Sequence, residues 1–147
     1  MGTNQLNKLS GDLYNLMLYL HNKFFHLNEI TKNLPMPPSH VKVIIYLARM
    51  GTSSISEVAK NLEISKPNMT PIIDKLIAQG LINRYNDPND RRVLRIELTD
   101  KAYELIKKRE EILKNNLAEK ISSLTVEDLE ALSKHIIGIT NIISKIE

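Results

Sequence analysis

The sequence contains no cysteine and no tryptophan, and only 5% of its 147 residues are aromatic. The lack of cysteine excludes disulfides, thiolate metal sites and thiol redox sensing, and it fits a reducing cytoplasm. With so few aromatic side chains, a core has to be built mainly from Leu, Ile and Val. This composition favours helices packed on helices.

Long apolar runs are also missing. No stretch approaches the ~20 apolar residues that a membrane-spanning helix needs, and residues 1–10 lack the pattern of a signal peptide. We therefore expect a cytoplasmic protein with no membrane partner. Because the net charge is only +3, bulk charge does not indicate nucleic-acid binding, and any DNA contact must come from the placement of particular cations.

The residue types that carry catalysis do not occur in catalytic spacing. No paired carboxylates, nucleophile with its base, or Gly-rich phosphate loop can be assembled, so we do not expect an enzyme. The four histidines lack the i, i+4 or clustered spacing that brings two imidazoles to one ion, so we expect no metal and no other cofactor. They are His21, His26, His40 and His135.

Apolar spacing in the first third of the chain predicts two helices. A leucine stripe with alternating steps of three and four residues predicts a long amphipathic helix. Its members are Leu6, Leu9, Leu13, Leu16 and Leu20, continued by Phe24 and Leu27. Prolines at 35, 37 and 38 then break the chain. A shorter helix follows, ended by Gly51, and its predicted apolar face consists of Val41, Ile44, Ile45 and Ala48.

The middle of the chain predicts a helix-turn-helix. Ser54 and Glu57 form a capping box that opens a short helix, with Ile55, Val58, Ala59 and Leu62 on one face. After a turn, Ser65 is predicted to cap a second helix that Gly80 ends. The apolar set of this second helix is Met69, Ile72, Ile73, Leu76 and Ile77.

From Leu81 the pattern alternates with a period of two, which predicts a β-hairpin. Its tip is the turn-forming, charged segment 87–92. Thr99, and then Thr125 with Asp128, are predicted to cap two further long helices. Their apolar positions are Ala102, Leu105, Ile106, Ile112, Leu113, Leu117 and Ile121 in the first, and Leu129, Leu132, Ile136, Ile139, Ile143 and Ile146 in the second.

The outer face of the second short helix is polar, and the hairpin tip carries Arg91 and Arg92. A polar outer face is common to amphipathic helices, and on its own it favours a merely solvated face over one that reads DNA. Arginines on a projecting loop suit a narrow minor groove, although either could instead pair with Asp87 or Asp90 to stiffen the turn. We expect one arginine to brace the turn and the other to contact DNA.

The order and spacing of these segments resemble the MarR (multiple antibiotic resistance regulator) family. The resemblance is carried by residues 55–59, Leu62, residues 64–67, 73–76, 80–82 and 87–92, and by Leu98 with Thr99. It implies a mainly α protein with a small β-hairpin wing, a winged helix-turn-helix. One domain would span 1–147, with a winged lobe at 38–98 (helix-turn-helix about 55–78, wing about 82–98) and a helical dimerisation region at 1–34 and 99–147.

By this resemblance, the candidate DNA-binding residues lie on the recognition helix and the wing. They are Ser65, Lys66, Pro67, Asn68, Thr70, Pro71 and Lys75 on the helix, and Asn89, Arg91 and Arg92 on the wing. The chain departs from the family pattern at Glu63, where the family often has Gly, and at Asn89, where it often has Arg. The second departure moves the expected minor-groove contact to Arg91. Pro71 predicts a local bend in the helix.

The terminal stripes carry more apolar surface than a small lobe can cover, so we expect a homodimer on a palindromic operator. The expected dimer contacts are Leu6, Leu9, Leu13, Leu129, Leu132, Ile136, Ile139 and Ile143. The family resemblance also implies a repressor controlled by a small organic ligand, for which Tyr14, Tyr19, Tyr46 and Arg49 are pocket candidates. The alternative function is a winged-helix module for protein contacts, without specific DNA binding.

Overall fold

The computed structural model describes residues 2–25 and 36–146. Its elements are α1 (Thr3–Phe24), α2 (Pro38–Met50), β1 (Ser53–Ser54), α3 (Ile55–Asn61), α4 (Lys66–Ala78), β2 (Ile82–Asn86), β3 (Leu94–Leu98), α5 (Asp100–Ile121) and α6 (Val126–Ile143). The chain divides into two compact units, one up to Arg109 and one from Glu110 onward. The architecture confirms the expected fold class, a mainly helical protein with a small antiparallel sheet.

The first helix is confirmed as a long amphipathic element. It runs for 22 residues, and none of them is buried. The predicted leucine stripe from Leu6 to Leu20 is exposed along its whole length. Leu27, His26 and Pro35 lie outside the described residues. Across the described segments, no helix combines the length and apolar character that crossing a bilayer requires.

The predicted face of α2 was partly wrong. Val43, Ile44 and Leu47 are buried, whereas Ile45 and Ala48 are exposed and Val41 is half-buried. The helix is apolar on most of its circumference, so two stripes offset by one residue both satisfy helical spacing. Packing against the lobe selects the stripe that contains Leu47.

The sheet contains a strand that periodicity did not predict. β3 lies in the middle and pairs antiparallel with both β1 and β2. The predicted hairpin is confirmed, with Ile82 opposite Leu98 and Asn86 opposite Leu94. Its loop is one residue longer than expected and runs from 87 to 93, where the Asp87 N–H donates to the Val93 carbonyl at 2.8 Å. β1 has only two residues, too few to show alternation.

A single apolar core holds the winged lobe together. Residues from α2, α3, α4, the sheet and the start of α5 contribute to it, including Val43, Val58, Leu76, Ile96 and Ala102. Burial of each large aliphatic side chain in such a core contributes about 1.5–3 kcal/mol. This core fixes α4 against α3 and the hairpin.

The predicted N-terminal caps are present at three helices. Ser54 and Glu57 form the reciprocal capping box of α3. The hydroxyl of Thr99 accepts from the Ala102 N–H at 3.2 Å, and that of Thr125 accepts from the Asp128 N–H at 3.1 Å. The Thr99 hydroxyl also donates to the Gly80 carbonyl at 2.7 Å. It therefore fixes the start of α5 to the end of α4.

Candidate nucleic-acid interface

The turn between α3 and α4 is a Schellman motif with a glutamate at the left-handed position. Glu63 has a φ of 54°, the one positive value among the described residues other than glycine. The Glu63 N–H donates to the Lys60 carbonyl at 3.3 Å, and the Ile64 N–H donates to the Ala59 carbonyl at 2.9 Å. The turn thus adopts the geometry that suits the glycine of the family pattern, at a steric cost to Glu63.

The helix α4 ends in the same motif, here with a glycine at the left-handed position. Gly80 has a φ of 71°, its N–H donates to Ile77, and the Leu81 N–H donates to the Leu76 carbonyl, both at 2.9 Å. Gly80 was predicted to end this helix, and that prediction is confirmed. Lys101 donates to the Gln79 carbonyl at 2.8 Å and satisfies a further acceptor at this end. Both helices of the helix-turn-helix therefore end in a turn fixed by backbone hydrogen bonds.

Ser65 occupies the N-cap position of α4, but its hydroxyl makes no capping hydrogen bond. The expected side-chain cap was therefore wrong. Pro67 has no N–H to offer, and the Asn68 and Met69 N–H groups both donate to the Ser65 backbone carbonyl, at 3.0 and 2.9 Å. Since its hydroxyl is not engaged as a cap, Ser65 keeps it for solvent or a ligand.

The sequence-predicted residues of α4 lie together on its exposed side. All seven candidates from Ser65 to Lys75 are exposed, while Met69, Ile72, Ile73 and Leu76 are buried against the lobe. The Thr70 hydroxyl donates to the Lys66 carbonyl at 3.3 Å, and the Thr70 side chain is exposed. The helix continues without a break through Pro71, and a bend there stays a prediction.

Asp87 organises the wing. Its side chain accepts from Arg95, and from the backbone N–H groups of Asn89 at 2.7 Å and Asp90 at 3.2 Å. The Arg95 guanidinium, followed by the Asn89 N–H, holds the pKa of the Asp87 carboxyl below its usual value. Sequence reasoning missed Arg95, because it considered only Arg91 and Arg92 as partners for this carboxylate.

The two wing arginines take different roles. Arg92 forms two parallel hydrogen bonds with the Asp90 carboxylate, each at 3.0 Å, and these lower the pKa of Asp90. The expected bracing arginine is therefore Arg92. Arg91 contributes its carbonyl as an acceptor from Asn86 at 2.6 Å, and its exposed guanidinium has no partner within residues 2–25 and 36–146.

A third ion pair joins α4 to the hairpin. The guanidinium of Arg84 in β2 lies 3.1 Å from the carboxylate of Asp74 in α4. Both side chains are exposed, so the pair contributes at most about 1 kcal/mol to stability. The pair also changes the surface charge of α4, since Arg84 neutralises the one acidic side chain on the outward side of this helix.

Three of the four ligand-pocket candidates are exposed, and the fourth lies against the core. Tyr14, Tyr19 and Arg49 are exposed, and the half-buried Tyr46 packs on the core and accepts from the Asn61 amide at 3.1 Å. One face of α6 forms an open, mainly apolar surface. It comprises Val126, Leu129, Glu130, Ser133, Lys134 and Ile137.

The described histidines do not converge. No group of three or more His, Cys, Asp or Glu side chains in the described segments could hold a metal ion. Burial, and then the charge of Lys75, lower the pKa of His40. His26 lies outside the described residues.

The helix-turn-helix, its Schellman turn and the braced hairpin define the class of this chain as a winged-helix protein. The sequence model of the MarR family matches residues 36–94, which lie within this lobe.

Solved structures share the fold beyond the lobe. A transcriptional regulator from Thermotoga maritima is similar with a TM-score of 0.77 and 19% identity, over 95% of this chain and 96% of that chain. A mutant MarR from E. coli, complexed with operator DNA, has a TM-score of 0.56 and 19% identity, over 90% and 96%. A MepR-like protein complexed with pseudoligands has a TM-score of 0.51 and 25% identity, over 93% and 94%.

Proposed function

We propose that this protein is a sequence-specific transcription regulator that binds double-stranded DNA. The observation that carries the proposal is the combination of an outward, exposed α4 with a wing whose tip presents the unpaired Arg91 beside a braced Arg92. The first arrangement suits base edges in a major groove, and the second suits the negative potential of an adjacent minor groove. The similar E. coli structure was solved with operator DNA.

The positions of the charged side chains on the lobe support contact with DNA. Three acidic side chains near the interface are engaged by arginines: Asp74 by Arg84, Asp87 by Arg95, and Asp90 by Arg92. Lys66 and Lys75 of α4 and Arg91 of the wing remain outward as cations. A modest net charge is therefore compatible with a positive DNA-facing surface.

We further propose that the protein acts as a homodimer. The exposed leucine stripe of α1 and the exposed isoleucines of α6 are too extensive to be usual on an isolated soluble chain. Two-fold symmetry would place two recognition helices on half-sites about 10 base pairs apart. Such a dimer would act as a repressor by occupying promoter DNA.

Regulation by a small organic molecule is the last part of the proposal. A similar MepR-like structure was solved with pseudoligands. A ligand that binds the non-DNA-binding arrangement more tightly would lower operator affinity, in proportion to that preference. Tyr14, Tyr19, Tyr46 and Arg49 stay candidates for its pocket.

The deciding experiment is selection of bound sequences from a random duplex library, followed by binding measurements against salt. We expect a palindromic site and a linear log–log decline with a slope of about −0.9 per phosphate neutralised. Repeating the selection with aromatic carboxylates tests the ligand response, and transcription from a promoter overlapping the site tests repression. Failure to enrich any duplex would instead favour the protein-interaction module.

A further inference from the structure

The outermost edge of α4 is formed by two prolines. With 3.6 residues per turn, Pro67 and Pro71 stand one above the other on the pole opposite the buried Met69, Ile72, Ile73 and Leu76. Both prolines are exposed. We call this pair the proline ridge.

The side chains usually credited with base readout lie to either side of the ridge. Asn68 and Lys75 are on one flank of the helix and Thr70 is on the other, each roughly 70–90° from the pole at 100° per residue. A helix set into a major groove with its core side outward presents its opposite pole to the base edges, and its flanks face the groove walls. The ridge is therefore the part of α4 that comes closest to the bases.

The ridge cannot donate a hydrogen bond. A proline has neither a backbone N–H nor a polar side-chain atom. Pro71 also deprives the Pro67 carbonyl of its usual i+4 donor. What the ridge offers to a base edge is apolar ring surface, and the apolar feature of the major-groove edge is the C5-methyl group of thymine.

We propose that the proline ridge reads thymine methyl groups in the major groove, and that the operator carries thymine where each ridge meets the bases. This inference rests on the proposed DNA-binding function and adds a specificity determinant to it. Hydrogen-bond readout belongs to the flanks, where Asn68 can pair with adenine. An Asn68→Ala variant would relax base preference at a position other than the thymine.

The test begins with the site that the wild-type protein selects. Each thymidine of one half-site is replaced singly by deoxyuridine, which keeps every hydrogen-bonding group and removes only the methyl group. We expect about a fourfold loss of affinity at one or two positions, the scale of one buried methyl group. Replacement at the other thymidines should leave affinity unchanged.

The variants Pro67→Ala and Pro71→Ala then assign the methyl contact. For them the ratio of affinities for thymidine and deoxyuridine duplexes should approach one at the sensitive positions. The ratio is internal to each variant, so a general change in affinity cancels. Pro71→Ala restores a helical N–H and is not expected to unfold α4, and circular dichroism checks this.

Two control variants separate the ridge from its neighbours. Pro88→Ala removes an exposed proline of the wing and should keep the full methyl effect. Thr70→Ser removes the methyl group on the flank and should also keep it. Loss of the effect in Thr70→Ser, persistence in both ridge variants, or no effect of deoxyuridine on a duplex that the wild type binds would each overturn the inference while leaving DNA binding intact. Absence of any selected duplex would defeat the proposed function and the ridge assignment with it.

Discussion

The Arg84 guanidinium of β2 lies 3.1 Å from the Asp74 carboxylate of α4, across the seam between the hairpin and the recognition helix. Asp74 shares the outward pole of α4 with the proline ridge, where an unpaired carboxylate would add negative charge to the proposed DNA-facing surface. In the proposed complex, Arg84 would neutralise that charge.

This pair predicts unequal effects for its two partners. Arg84→Ala should lower operator affinity, because it leaves the Asp74 carboxylate without its counter-charge, whereas Asp74→Asn should leave the affinity close to that of the wild type, since this carboxylate is already neutralised. The double variant should lie close to Asp74→Asn, because no carboxylate is then left to neutralise. Anisotropy titrations at several salt concentrations measure all three. If Arg84→Ala weakened binding equally in the Asp74→Asn background, Arg84 would itself be a DNA contact.

The different roles of Arg91 and Arg92 in the wing give a second prediction. Arg91→Ala should weaken operator binding and reduce the salt slope by about 1, with the fold and the oligomeric state unchanged. Arg92→Ala should also disturb the loop, since it leaves Asp90 without its bidentate partner. Amide chemical shifts of residues 87–93 distinguish the two variants. A wild-type affinity in Arg91→Ala would show that the wing assignment is wrong.

The two Schellman turns make a matched pair for a stability prediction. Glu63→Gly should stabilise the lobe by about 0.5 kcal/mol, because relief of a left-handed residue, about 1–2 kcal/mol, is offset by glycine's larger loss of backbone entropy. Gly80→Ala should cost about 1 kcal/mol, since an added Cβ would only touch Lys101 at 3.7 Å and the penalty comes from φ. Urea unfolding of the two variants measures both, and a destabilised Glu63→Gly would contradict the strain at this position.

Local signals in the sequence were sufficient for the caps and for the order of elements. Ser54 with Glu57 and Thr125 with Asp128 act within one turn, so spacing alone predicts them. The face of α2 was ambiguous because apolar residues surround that helix. The two-residue β1 carries no periodicity, and it exists because β3 offers it a partner.

The candidate site was less visible from the sequence than the fold. The outward residues of α4 follow from the burial period, and the sequence placed them correctly on one side. The pairs of Asp87 with Arg95 and Asp74 with Arg84 join residues 8 and 10 positions apart, and hairpin register and packing decide them. The sequence also did not reveal that the Ser65 hydroxyl makes no capping hydrogen bond, although Ser65 occupies the N-cap position.

The lowered pKa of Asp87 predicts a pH dependence of the wing. Its carboxylate is stabilised by Arg95 in the folded state, so the contribution to stability is complete above the unfolded value of 3.8. It is lost as the pH falls through the lower folded pKa. A carboxyl chemical-shift titration should give Asp87 a pKa below 3.8, and Arg95→Gln should raise it. An unchanged pKa in Arg95→Gln would remove Arg95 as the cause.

The apolar stripe of α6 gives the prediction for assembly. Ile136 and Ile139 are exposed by 53% and 41% in the single chain, and we expect the second copy to cover them. Ile136→Glu should weaken the dimer by at least about 100-fold, because symmetry places the substitution in the interface twice and each buried charge costs a few kcal/mol. Asn141→Glu, on another side of α6, is the matched control and should leave the dimer intact. Light scattering across a concentration series measures both, and an Ile136→Glu dimer that dissociates over the same concentration range as the wild type would place the interface elsewhere.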